Sequence, residues 1–324
     1  MALGTDTGGS GRIPFACCAT VGFKPSLGKL SLAGTFPLAP SFDTVSPMAR
    51  TVADCALMYS VLSGDPLPEP RIAGLRIGVL APCAEADQLA ALGAELEVVE
   101  LPTSEVDLMP RFAAECALTH RGLYPERAAE YSPDLQVKLE AAPGVRAVDF
   151  LAAPAALQRW RRRLRTVPGV DLIVSPTLGI EVPAADCWEP DVRAGMCQYP
   201  TPFNFLGWPP IAVDNLQLAG RDDQTVLAAA PAWELAFGPA GRRHRLRAAA
   251  VAIREGPGEA SPSSDSSWES PGLRIRSAAP AGFPFADHPR QLSAGLTPGK
   301  FRGHELDGVT VDGLRRHCLH PAPN

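Results

Sequence analysis

Gly4-Thr-Asp-Thr-Gly-Gly-Ser-Gly-Arg-Ile-Pro14 is the stretch whose reading decides what this chain is. Gly8 and Gly9 stand directly before Ser10. Lacking a Cβ, glycine lets the backbone turn tightly. Such a turn can aim successive N–H groups at one point, with the serine hydroxyl beside it. A nucleophile and preorganised oxyanion donors are the two parts that acyl transfer needs. A Gly-Gly-Ser turn is also common structural punctuation, so the loop alone leaves both readings open. A phosphate loop is excluded, because no Gly-Lys-Ser or Gly-Lys-Thr occurs in the chain. The nucleophile elbow G-x-S-x-G is excluded too, because Ser10 lies in Gly8-Gly-Ser-Gly-Arg12.

The residues that follow raise the loop above chance. Gly4–Pro14, then Gly22-Phe-Lys-Pro-Ser26, then Ser41–Asp54 match in order the motifs G-T/S-D-T-G-G-S-I-R-x-P-A, G-x-K-P-T and S-x-D-x-x-G-P-M-A-R-T-V-x-D. On these motifs the chain resembles the amidase signature family. Four positions depart from the pattern: Gly11 stands for isoleucine, Phe15 for alanine, Ser26 for threonine and Ser46 for glycine. Later stretches resemble it as well, namely Asp171–Thr177, Pro202–Ile211 and Leu216–Asp223. The resemblance covers about residues 2–238.

The resemblance implies an α/β fold, an α/β/α sandwich with a mixed central sheet, incomplete here at the N-terminus. It implies a small-molecule amide substrate, a serine nucleophile and no metal or cofactor. It carries the nucleophile to Ser10 and the oxyanion-hole backbone to Thr7, Gly8 and Gly9, with Ser10's own N–H. The family's catalytic lysine and cis-serine lie upstream of the motif, and only Met1, Ala2 and Leu3 stand there in this sequence. Lys24 matches a lysine that is not the catalytic one. His120 is the one histidine in the amidase-like region, and its Ala/Leu-rich helical context favours a structural role. The expectation is therefore half an active site, in which Ser10 stays protonated and reacts slowly.

Bulk properties narrow the class. The 324 residues allow one large domain or two ordinary ones. A hydrophobic share of 46% is enough for an extensive core, and a net charge of −5 implies neither a nucleic-acid nor an acidic-lipid partner. No basic stretch followed by an apolar run marks a leader, and no run reaches the ~18 apolar residues of a membrane helix. Eight cysteines form no C-x-x-C and no zinc spacing, so they read mostly as small buried hydrophobes of a reducing cytoplasm.

Along the chain, Ile13-Pro14 suits a first helical turn, and Phe15–Val21 reads as a short buried helix. The segment 28–40 reads as short strands and loops. Thr51 caps a helix over residues 52–62 that Ser63-Gly64 ends, with Asp54 serving the helix dipole. Residues 75–80 and 95–101 read as strands flanking a helix over 84–92, a β-α-β unit of a parallel sheet. Two mostly helical segments follow, 105–131 and 134–165, broken near Pro133 and Pro143. The basic run Arg159–Arg165 reads as a solvated helix face. Residues 171–177, 209–213 and 216–218 read as strands, and 225–237 as the last amphipathic helix. Residues 1–238 are expected to form the amidase-type domain, its C-terminal part. Residues 239–324, rich in Pro, Ser and Arg, are expected to be a disordered tail. Three functions remain open: an amide C–N hydrolase, the glutamine amidase component of a tRNA-dependent amidotransferase with partner subunits, and a non-catalytic remnant. A homodimer is the other assembly to test.

Overall fold

The computed structural model describes residues 1–165 and 169–237. The expected tail, 239–324, lies outside the described residues. In chain order the elements are β1 (Ala2–Thr5), α1 (Ile13–Cys17), β2 (Val21–Phe23), β3 (Val45–Ala49), α2 (Val52–Ser63), β4 (Arg76–Val79), α3 (Ala86–Ala91) and β5 (Glu95–Val98). Next come α4 (Met109–His120), α5 (Pro133–Ala141), α6 (Ala147–Leu164), β6 (Leu172–Pro176), α7 (Glu189–Cys197), α8 (Pro200–Leu206), β7 (Pro210–Val213) and β8 (Leu216–Gly220). A final helix, α9, covers 223–237.

All eight strands join one sheet in the order β1-β3-β2-β7-β8-β6-β4-β5. Only β6-β4 and β4-β5 pair in parallel, and the other neighbours are antiparallel. The expected α/β architecture with a mixed central sheet is therefore present. Strand side chains alternate between faces, so a doubly covered sheet needs apolar residues on both. Leu172 and Val174 of β6 enter a core with Cys55 and Tyr59 of α2 and Val226 and Trp233 of α9. Ile173, between them, enters a second core with Leu157 and Trp160 of α6 and Phe203 and Phe205 of α8.

The helix over 52–63 follows its sequence signals. Thr51 accepts the Asp54 N–H at 3.1 Å, and Gly64 takes the left-handed conformation at φ 74°. Three expectations need correction. The helix expected over 15–21 stops at Cys17, and Val21–Phe23 is strand, because β2 pairs with both β3 and β7. The segment 28–40 contains turns and no strand. The basic run is not one solvated face. Arg159 and Arg163 meet Glu105 in solvent, whereas Arg161 is half-buried and donates to the Phe205 carbonyl at 2.7 and 3.1 Å. There it satisfies a carbonyl in the last turn of α8.

The expectation that the cysteines are mostly buried is not met among the described residues, where only two of seven are. All seven described cysteines are free. Cys55 and Cys116 are buried, but Cys18 and Cys187 are exposed. Among the described residues, no helix is long and apolar enough to cross a membrane.

Candidate active site

The Ser10 loop leaves the sheet at the end of β1, which pairs with β3 from Ala2↔Met48 to Thr5↔Val45. The Asp6 N–H continues this ladder to Thr44 O at 2.8 Å. From there the loop is built around a sealed ion pair. Asp6 and Arg12 are both fully buried, with Arg12 Nε 2.8 Å from Asp6 Oδ2. All the guanidinium nitrogens find acceptors. Nη1 donates to Gln217 Oε1 at 2.6 Å and Pro200 O at 3.1 Å. Nη2 donates to Asn204 Oδ1 at 2.5 Å and Asp6 Oδ1 at 3.3 Å. The Asn204 amide returns a bond to Asp6 Oδ1 at 2.7 Å. Burial by itself would raise the Asp6 pKa. The Arg12 charge and hydrogen bond, with Asn204 and Lys24, outweigh it and hold the carboxyl below its usual range.

The pair also decides which backbone donors stay unspent. Gly9 N–H donates to Asp6 Oδ1 at 2.8 Å. Gly9 O in turn accepts Arg12 N and Ile13 N, each at 2.8 Å. The N–H groups of Thr7, Gly8 and Ser10 donate to no described partner. Glycine is required at Gly9 by its φ of 125°, and a Cβ there would lie 2.6 Å from Ile13 Cδ1. Thr7 is fixed on the other side, its hydroxyl donating to Asp43 Oδ1 at 2.6 Å. Asp43 also accepts the N–H groups of Leu38 and Ala39. Ser10 itself is exposed, and no described side chain bonds its hydroxyl.

Two departures from the sequence pattern meet here. A Cβ on Gly11 would lie 2.1 Å from Ser46 Oγ. Glycine at 11 therefore leaves the room that the Ser46 side chain on β3 occupies. Ser46 Oγ donates to Phe23 O at 2.7 Å.

Beside Gly8 opens a cavity of about 40 Å³, walled by Met109, Phe112, Cys197, Thr201 and Phe205 among others. The Thr201 hydroxyl donates to Gly8 O at 2.9 Å, fixing that peptide against the cavity.

Neither of the other two titratable candidates bonds the Ser10 hydroxyl. Lys24 is fully buried, and its ammonium donates to Pro25 O at 2.9 Å. Burial lowers its pKa to about 7, with Arg12 and Arg161 lowering it further and Asp6 and Asp223 opposing. His120 is buried at the end of α4, where Nδ1 lies 3.0 Å from the Tyr131 hydroxyl. Burial lowers its pKa, and its ring contacts are Phe36 and Tyr131, neither of them in the Ser10 loop. Among the described residues no group of His, Cys, Asp and Glu could hold a metal ion.

A model of the Amidase family matches residues 1–71. An amidase from Pseudomonas putida is 34% identical, over 73% of this chain and 62% of that protein's length. The match to the amidase family thus lies in the first 71 residues, and the likeness to individual amidases extends over most of the described chain. A solved amidase crystal structure superposes with a TM-score of 0.63 at 28% identity, covering 72% of this chain and 62% of the other. The A component of the glutamyl-tRNA(Gln) amidotransferase from Mycolicibacterium gilvum is 38% identical over 33% of this chain and 29% of its own. The chain thus spans 62% of the length of the Pseudomonas amidase. The amidase motif was legible as a string, but the roles of Asp6 and Arg12 within it were missed. An Asp and an Arg six residues apart in a loop of small residues were the available signal.

Proposed function

We propose that this chain presents the nucleophile and oxyanion site of an amide C–N hydrolase. The supporting observation is the unspent N–H groups of Thr7, Gly8 and Ser10 around an exposed serine and beside the Gly8 cavity. Ser10 Oγ adds to the amide carbonyl carbon, and the carbonyl oxygen takes the negative charge facing those donors. The C–N bond then breaks, the hydroxyl proton leaves with the amine, and water hydrolyses the acyl-serine to a carboxylic acid. Gly9 serves this site through its turn and its bond to Asp6 rather than as a donor. With no described side chain on the Ser10 hydroxyl, the proton has only water to take it, and the described residues alone acylate slowly.

The test is a fluorophosphonate reacted with the full chain, followed by peptide mass mapping. The expected result is one slow adduct on Ser10 that Ser10→Ala removes. An adduct elsewhere, or none after prolonged exposure, contradicts the reading. The amidotransferase relative favours a second reading, release of ammonia for a partner protein. Co-purification of stoichiometric partner chains distinguishes it. The free thiols fit a reducing cytoplasm as the working compartment.

A further inference from the structure

The cavity beside Gly8 carries information about the substrate. Its size is the first constraint. At about 40 Å³ it has room for about three water-sized groups. An apolar cavity that accepts benzene is about 150 Å³, so a phenyl ring does not fit here. The lining is the second constraint. Met109, Phe112, Ala194 and Phe205 present only carbon and thioether surface.

Two polar members of the wall, Thr201 and Arg193, have partners of their own. Thr201 Oγ1 donates to Gly8 O. Arg193 Nη1 donates to Glu189 Oε1 at 2.6 Å, and Lys138 holds the other Glu189 oxygen at 2.6 Å. The Arg193 cation is thus paired on α7 itself. The Gln198 amide lies over Gly179, where a Cβ would come within 2.2 Å of its Oε1. The one cation on these walls is already offset by Glu189, so a substrate carboxylate would be buried with no unpaired cation opposite it, which is costly.

We infer that this cavity takes the acyl side of the amide, and that this side is a short uncharged aliphatic chain of about three or four carbons, as in butyramide. The inference rests on the reading of Ser10 as the acylated residue, since Gly8 links cavity and loop. The carbonyl carbon then faces exposed Ser10 and the amine lies outside the cavity, so the cavity selects the acyl group and leaves the amine unselected.

Binding tests this separately from turnover. The full chain, methyl-labelled at Met and Ala, is titrated by NMR with butyramide, benzamide and succinamate. Butyramide is expected to shift the Met109 and Ala194 methyl signals saturably, with the other two at least about tenfold weaker. Ala194→Phe fills the cavity from an exposed helix position and is expected to abolish the butyramide shift. Met109→Ala widens it and is expected to narrow the gap between benzamide and butyramide. Ser10→Ala is expected to keep butyramide binding, so loss of the nucleophile reading and loss of this inference give different results. Equal affinity for benzamide or succinamate, no saturable butyramide shift, or unchanged binding in Ala194→Phe overturns the inference.

Discussion

Two arginines of this protein meet a carboxylate at nearly the same distance and with opposite consequences. Arg12 Nε lies 2.8 Å from Asp6, with both side chains at 0% exposure. Arg159 Nε lies 2.9 Å from Glu105, with side chains at 47% and 46% exposure. The exposed pair can trade its partner for water at little cost. The buried pair cannot, because removing either member strands the other charge away from solvent. The first site sets the shape of the Ser10 loop, and the second decorates α6. What separates them is burial together with the extra acceptors that Asn204, Gln217 and Pro200 bring to Arg12.

The largest expected effect breaks the buried side of that comparison. Arg12→Met should cost about 3–5 kcal/mol in denaturant unfolding, because Asp6 remains charged and unpaired. Adding Asp6→Asn should recover part of the loss. Equal costs for Arg12→Met alone and with Asp6→Asn would remove the charge argument.

Next in size is the buried cation beside the network. Lys24 is lowered to about 7 from its ordinary 10.5 by burial. Below pH 7 both folded and unfolded states are protonated, and the folded state bears the full penalty of the buried charge. From pH 7 up to the ordinary lysine range the unfolded state holds the extra proton, so stability rises with pH by up to about 1.4 kcal/mol per unit. Lys24→Met should therefore be most stabilising at pH 6, and its advantage should shrink by pH 9. Paired thermal melts at the two pH values check this, and a pH-independent difference contradicts it.

Packing at the loop comes third. Gly11→Ala should cost about 1–3 kcal/mol by overpacking against Ser46. The same change should cost less in a Ser46→Gly background. Additive effects in this double-mutant cycle would separate the two positions. Smallest is the exposed pair: Arg159→Ala should change stability by no more than about 1 kcal/mol, and less in high salt. A change as large as that for Arg12→Met would erase the contrast.

The sequence exposed local features and concealed long-range ones. Thr51 and Gly64 bracket α2 through interactions a few residues apart, so the string contains them. The two-residue turn Asp214-Asn215 likewise sets the β7–β8 hairpin. By contrast β3 contains Pro47, which argues against a central strand. The fold tolerates it because the ladder to β2 uses only Met48 and Ala49 on that side. At the site, Ser10 and its glycines were legible in one motif. Asn204 and Gln217 were not, because 192 and 205 residues separate them from Arg12 and only α8 and β8 bring them back. The motif assigns Gly9 an oxyanion-donor role, but its amide's partner, the Asp6 side chain, depends on a turn that the letters do not specify.

The central claim is that the sealed Asp6–Arg12 pair holds the loop, consuming Gly9 N–H and leaving its neighbours free. Residue-resolved amide hydrogen exchange tests it most directly. The account predicts a Gly9 amide protected nearly as well as the core strands, beside Gly8 and Ser10 amides that exchange orders of magnitude faster. In Arg12→Met the Gly9 protection should fall toward that of Ser10. A Gly9 amide exchanging as fast as Ser10 in the wild-type chain would contradict the account.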